Sequence, residues 1–562
     1  MIMAILEGYL AEISKLLKTK NDTQLKAYLR VEPPLPEEFT KLSLELKKSW
    51  RDSGRLERLI EKTIPLSDDD KADEGGSWPG FLAFMKEYLE YWRDVNMEDL
   101  VRTHEQLSSL ANSCITAMSN ASMGIVMLPA TVQVCSALAR LATMLDRRPD
   151  LTRDLGTIVD ADQGEGKTLV EGTAELIQRA FTICLTERTV NRNGIGGDGK
   201  PEGKKIGIYS FANMVLKLLF QCRKTRLANQ IFTNISANSP PLALYPASHR
   251  VQYLYFLGRY HFSNTHFFYA QHCLQSAYDQ CHPQLVSHRR AILIYLIPAN
   301  IILGRFPSKH FASRPEAADL LPKYLPIAAA IKKGNMVAFK HALGPQSGNE
   351  QWFFHYGVLL PLLSRCEPLV WRSLARRVFS MTYTIPWDPN SKSNKAAVLN
   401  INDMLIAAQF CQKLLEGWTN RADNMTQMQN GRIHTNSMFM KRAPLAPPPG
   451  GRKKLGPQQG VIFANKMPRM FDVEAIIASL VAQGLLNGFI SHAQQKFAII
   501  GSKQKGGPLN AGFPIPWEVI LNKARHEQRD KEVPGWVQKE RTVGMGGVVN
   551  LTGIARAVGS GS

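Results

Sequence analysis

Between residues 81 and 415 apolar side chains recur three and four positions apart, while the two-residue alternation of a half-buried strand is almost absent. FLAFMKEYLEYWRDV, VEGTAELIQRAFTICL, YSFANMVLKLLFQC and MVAFKHAL all carry this spacing. It puts the apolar residues on one face of an α-helix, and such faces must be buried against one another. Clusters of Gly, Pro and Asn at 191–203, 239–246, 344–349 and 386–394 separate the runs, so the stretch reads as many helices joined by loops. Hydrophobic residues make up 44% of the 562, enough for a large core and too many for a disordered chain.

One segment specifies how the helices pair. In LYFLGRYHFSNTHFFYAQHCLQSAYDQCHP, Leu257-Gly258 is followed by Ala270, Leu274 and Ala277, offsets that match part of a tetratricopeptide-type helix pair. Gly258 and Ala270 are then expected where two antiparallel helices come close, with Leu274 filling the space between them. The next pair, HRRAILIYLIPANIILG with PEAADLLPKYLPIAAAIKKGNMVAFKHAL, is looser. The expected fold is therefore mainly α: a degenerate tetratricopeptide-like helical-repeat solenoid, each pair burying its face on the next. Such an array lets the chain form one body, where length alone suggests about three to five domains. Two stretches resemble membrane spans, the uncharged 106–139 and AILIYLIPANIILG at 291–304. The first is rich in Ser, Asn, Thr and Gln, and the second falls short of the ~20 residues a bilayer requires. Both are read as buried helices, with no membrane insertion.

The character changes after residue 400. INDMLIAAQFCQKLLEG reads as one helix with Asn402 at its N-cap. Residues 418–468 form a break dominated by Asn, Gln, Met, Gly and Pro. FDVEAIIASLVAQGLLNGFISHAQQKFAII then supplies a helix capped by Asp472 and two short strands, near 488–491 and 496–500, around a polar turn. Helix, helix, hairpin is the order of a C-terminal winged helix whose middle has been opened. The expected organisation is an N-terminal helical segment and linker at 1–80, the solenoid at 81–399, the winged helix at 400–502 with a basic disordered insertion at 418–468, and a flexible tail at 503–562.

Signals for catalysis are weak. ADQGEGKTLVEG fits a relaxed P-loop, with Lys167 for the outer phosphates and Thr168 for Mg²⁺. However, Asp160, Asp162 and Glu165 would bring negative charge to the cradle, and the surroundings are helical rather than βαβ. A P-loop nucleotide-binding enzyme is thus the remote alternative, and a solvated connection between helices is favoured. His261, His266, His272, His282 and His288 lack the one-face spacing that zinc needs. The eight cysteines show no C-x-x-C pair, which suits a reducing compartment. The aromatic run from Tyr253 to Tyr269 reads as core packing at helical spacing rather than as a base-stacking stripe. No catalytic residue, cofactor or metal ligand is assigned, and the chain is read as a non-enzyme.

Charge points elsewhere. Lys and Arg exceed Asp and Glu by 20, which predicts attraction to something acidic. Residues 421–470 hold nine bases against one acid, a net +8, and 501–562 hold nine against five, a net +4. Together they carry +12 of the +20, in or beside the expected winged helix. Lys441, Arg442, Arg452, Lys453, Lys454, Lys466 and Arg469 are therefore assigned to nucleic-acid phosphate contacts, with Lys496, Lys503 and Lys505 at the wing as further candidates. The bland reading is a soluble loop that resists aggregation.

HRVQYLYFLGRYHFSNTHFFYAQHCLQSAYDQC, HRRAILIYLIPANIILGRFPS and LVAQGLLNGFISHAQQKFAII also resemble a known family. They are similar to the PCI-domain subunits of the nuclear transcription-and-export complex and to their close signalosome-subunit-like paralogues, over roughly residues 81–502. The resemblance implies a scaffold that pairs with a larger Sac-type PCI subunit and is stabilised by a small acidic disordered peptide subunit shared with the proteasome lid. It further implies a winged-helix platform for RNA and double-stranded DNA, with a recognition-type helix at 472–485 and a wing at 488–500. The implied role is coupling transcription to mRNA export in the nucleus, at nuclear pores, with some cytoplasmic presence. The alternative is a signalosome-like or splicing-linked PCI scaffold with little nucleic-acid binding of its own. If 161–168 is a connection and not a nucleotide cradle, Lys167→Ala leaves thermal stability and the absence of ATP-induced stabilisation unchanged; an ATP-dependent rise in Tm that this substitution removes would restore the enzyme.

Overall fold

A computed structural model describes residues 4–32, 36–64, 78–96, 98–152, 168–188, 194–384, 396–420, 445–448 and 450–527. The chain opens with α1 (Ala4–Lys18), α2 (Asp22–Tyr28), α3 (Glu37–Ser49) and α4 (Ser53–Thr63). The array continues with α5 (Pro79–Asp94), α6 (Leu100–Met118), α7 (Leu128–Asp146), the single turn α8 (Pro149–Thr152), α9 (Leu169–Thr186), α10 (Ile208–Gln221) and α11 (Thr225–Asn238). It then runs through α12 (Ala247–Ser263), α13 (Phe267–Gln280), α14 (Val286–Ile302), the turn α15 (Lys309–Ala312), α16 (Leu321–Lys333), α17 (Met336–Leu343), α18 (Glu350–His355) and α19 (Leu359–Thr382). This is the helical solenoid that the apolar spacing predicts. The packing is continuous from the N-terminal helices into α5. Leu6, Leu10, Leu25 and Leu46 share one core with Phe84 and Leu89 of α5. Hydrogen bonds fix the junction: the Tyr88 hydroxyl donates to the Arg30 carbonyl (2.7 Å), and Ser43 Oγ donates to the Trp92 carbonyl (2.9 Å).

The pair α12–α13 carries the predicted close approach. A Cβ on Gly258 would lie 2.5 Å from Leu274 Cγ, inside any allowed contact, and Ala270, Leu274 and Ala277 are fully buried. This pair also joins two cores: Tyr253, Leu257 and Cys273 face the one that begins at Leu6, while Phe262, Ala270 and Leu274 face the one that ends at Phe513. The looser second pair is held by a different device. Pro298 inside α14 has no N–H for the carbonyl of Ile294, four residues back. The fully buried Tyr324 of α16 donates its hydroxyl to that carbonyl instead, at 2.9 Å. The segment Gly124–Asp146 is long and apolar enough to cross a membrane. Here Val134, Leu138 and Ala142 of α7 are buried in the helical core. Of residues 161–168, the stretch that would cradle phosphates, only Thr168 lies within the described residues. It caps α9, its Oγ1 accepting from the Glu171 N–H at 3.3 Å.

The winged helix consists of β1 (Val398–Asn400), α20 (Ile401–Leu415), the two-residue strands β2 (Thr419–Asn420) and β3 (Leu445–Ala446), α21 (Met470–Ala482), β4 (Gly488–Ser491) and β5 (Lys496–Ile499). Its sheet runs β1-β5-β4, all antiparallel, with Leu399 opposite Phe497 and Phe489 opposite Ala498. Phe497 is fully buried beneath it. Three details differ from expectation. Asn400, not Asn402, caps α20, because its side chain accepts from the Asn402 N–H. The second helix starts at Met470, two residues early: Asp472 sits in its first turn and accepts from the Arg469 N–H at 3.0 Å. It stops at Ala482, short of 485, with Gly484 beyond it in the left-handed region.

Nor is the described part of the tail loose. Residues 508–527 form α22 (Pro508–Gly512) and α23 (Pro516–Glu527). Trp517 stacks with Phe268 of α13 and has the Arg305 guanidinium 4.7 Å from its ring, and Lys523 donates to the Ala482 carbonyl at the end of α21 (3.3 Å). The segment thus straps the winged helix to the solenoid. Since the α12–α13 contact joins both cores, Gly258→Val should destabilise the chain by about 1–3 kcal/mol through overpacking, read as a lower urea midpoint at unchanged m-value.

Candidate nucleic-acid interface

The predicted basic segment divides in two. Lys441 and Arg442 lie outside the described residues, while 450–468 is laid against α20 and held there, contrary to the expected disorder. Two side chains at the end of α20, Gln412 in its last turn and Glu416 at its C-cap, are fully buried beneath it. Gln412 Oε1 accepts from the Val461 N–H (2.9 Å), and its Nε2 donates to the Ala464 carbonyl and to Glu416 Oε1 (both 3.0 Å). Asn465 Nδ2 donates to Glu416 Oε1 (3.3 Å) and to the Lys453 carbonyl (2.9 Å), and the Lys453 N–H donates to the Glu416 carbonyl (3.1 Å). Gln409 reaches the Pro468 carbonyl at 3.1 Å. The segment's composition looks disordered because its apolar residues are few. Its backbone groups find partners in the helix instead of in a core of its own.

Anchored this way, the segment leaves its cations outward. Arg452, Lys453, Lys454, Lys466 and Arg469 are all exposed. Arg452 lies over the Trp418 ring at 5.5 Å, with Lys413 also near that ring at 5.4 Å, and its Nε is 4.0 Å from Glu416 Oε2. Lys466 pairs with Asp472 at 3.2 Å. The Arg469 N–H and then Lys466 hold the Asp472 carboxyl below its usual range. Lys496 is exposed at the start of β5, and Lys503 and Lys505 are exposed on the loop before α22. The candidates thus occupy three places: the fixed segment, the wing, and the loop after it.

No family model matches the chain. Curated relatives do. A PCI domain-containing protein of Schizosaccharomyces pombe is 24% identical over 530 residues, 94% of this chain and 98% of that protein. Protein CSN12 homolog of the same organism is 30% identical over 310 residues, 54% of this chain and 66% of its own length. PCI domain-containing protein 2 of Danio rerio is 26% identical over 224 residues, 40% of this chain and 52% of its own length. The chain belongs with the PCI domain-containing proteins. The helical solenoid and C-terminal winged helix agree with that placement.

In this PCI chain α19 contributes cations that the sequence reading passed over. Arg376 and Arg377 are exposed on it. Arg372 is half-buried, its Nη2 donating to the carbonyls of Phe513 (2.7 Å) and Pro514 (2.9 Å). Burial, with Arg376 close by, pushes the Arg372 guanidinium down to about 10. The signal was present as WRSLARR, but it lay inside a run assigned to the repeat body. The histidines do not converge. Burial, with His266 alongside, pushes His261 down to about 4, and no group of three or more His, Cys, Asp or Glu that could hold a metal occurs among the described residues. Gln412→Leu should leave the Val461 N–H and Ala464 carbonyl unpartnered, at about 1–3 kcal/mol each. The measurable outcome is faster hydrogen exchange at Val461 with α20 still protected.

Proposed function

We propose that the chain is a non-enzymatic scaffold subunit that pairs with a larger Sac-type PCI protein and binds RNA and double-stranded DNA, coupling transcription to mRNA export. The observation that carries the nucleic-acid part is the segment 450–468. Its backbone is tied to Gln412 and Glu416, and its cations stand in water beside the winged helix. Phosphate contacts favour cations without an exposed acidic neighbour, and for the row Arg452, Lys453 and Lys454 the carboxylate beneath, Glu416, is buried, whereas Lys466 shares its charge with Asp472. Sequence-independent, salt-dependent affinity is what such a row supplies. The resemblance to export-complex subunits supports the PCI partner, the small acidic peptide subunit and a nuclear location at nuclear pores.

Similarity to proteins named CSN12 homolog favours a second reading, a signalosome-like or splicing-linked scaffold with little nucleic-acid affinity. Affinity purification of the full chain separates the two, since the large partner differs. Replacing Arg452, Lys453 and Lys454 together by Ala should weaken RNA binding. It should also reduce the slope of log affinity against log salt by about 2, at ~0.7 per lost contact to a single strand. An unchanged slope would remove this row from nucleic-acid binding.

A further inference from the structure

The basic face carries exposed aromatic rings among its cations. Phe471 is 77% exposed and Phe463 57%. Phe471 belongs to α21, whose Val473, Ile477 and Leu480 are buried, so the helix has an apolar face to spend and leaves this ring off it. Phe463 stands at a tight turn where Ala464 takes a positive φ and its carbonyl is fixed by Gln412. Two contacts through Lys466 make them part of one strip. The Lys466 N–H donates to the Phe463 carbonyl at 2.9 Å, and Lys466 Nζ reaches Asp472, the neighbour of Phe471, at 3.2 Å. On the wing the same mixture recurs. Phe489, 55% exposed, pairs across β4–β5 with Ala498, on the sheet face that also carries Lys496.

Isolated apolar residues on a surface need no explanation, but rings alternating with cations on a backbone held in place form a recognisable chemistry. Single-stranded nucleic acid offers unpaired π-faces at each nucleotide and a charge between them, whereas a duplex has its base faces already covered by stacking. Charge alone would not discriminate between the two. A protein partner covering the rings would have to be acidic to tolerate Lys466 and Arg469 beside them. We propose that this face takes a single strand in preference to a duplex, with bases stacked on Phe471 and Phe463 and phosphates held by Lys454, Lys466 and Arg469.

The inference rests on the nucleic-acid reading above, and one experiment tells their failures apart. The full-length chain is titrated with a labelled single-stranded RNA of mixed sequence, and with the duplex of the same sequence, by fluorescence anisotropy at several salt concentrations. The double variant Phe463→Ala, Phe471→Ala should bind the single strand about tenfold or more weakly. Its salt slope and its duplex affinity should be unchanged, and Phe463→Tyr with Phe471→Tyr should retain single-strand binding. Both rings are exposed, so the melting temperature should stay that of the parent. Equal loss on strand and duplex, or no loss on the strand, overturns the preference. Retained strand binding with loss of a co-purifying protein also overturns it, and makes the rings a protein contact. If the parent chain binds neither nucleic acid, the functional reading itself fails; if it binds the duplex as well as the strand, only this inference falls.

Discussion

Gln412 and Glu416 convert a polar, Pro- and Gly-rich segment into part of a surface. Each is a buried polar side chain four residues from the other, and between them these side chains take up the backbone of residues 461 and 464 and the side chain of Asn465, while the Glu416 carbonyl accepts from the Lys453 N–H. A buried amide and a buried carboxylate are costly when unpaired and strongly directional when paired. That directionality fixes the register of the segment on α20, which apolar contact from Val461 and Leu455 alone would leave loose. The positions of Arg452, Lys453, Lys454 and Lys466 follow from it.

Much of the architecture was legible because it rests on short-range spacing. The offsets from Gly258 to Leu274 specify an interhelical contact, and the contact is there. The wing was legible as a hairpin around a polar turn. What escaped were features set by partners distant in sequence. β1 has three residues, too few for any alternation, and exists because Leu399 meets Phe497 across the sheet. Order in 450–468 depends on residues about fifty positions earlier. Composition therefore misjudged the insertion's second half, and likewise the part of the tail fixed by Phe268, Arg305 and Arg372. Of the candidate site, the residue types were legible and their neighbours were not: Asp472 beside Lys466 and Trp418 beneath Arg452 come only from the fold.

The strap at 508–527 and the α12–α13 pair bear on the same question, how a basic end keeps its orientation on a long helical body. A solenoid transmits position through neighbouring repeats only, so error accumulates along it. Trp517 bypasses that path by reaching from beside α21 to Phe268 on α13, while Arg372 holds the carbonyls of Phe513 and Pro514 from α19. The winged helix is then referenced to two places in the body at once.

Location changes what a net charge of +20 can do. A free arm would have to give up backbone freedom, roughly 1–2 kcal/mol per residue ordered, whenever it gripped a polyanion. In 450–468 that cost is met on folding, through hydrogen bonds to α20, so the outward cations contribute to binding without a further ordering penalty. Fixed cations also keep fixed spacings, which lets the aromatic rings between them matter. An arm that could rearrange would attract any polyanion; a held row with Phe463 and Phe471 set into it can favour one geometry of nucleic acid over another.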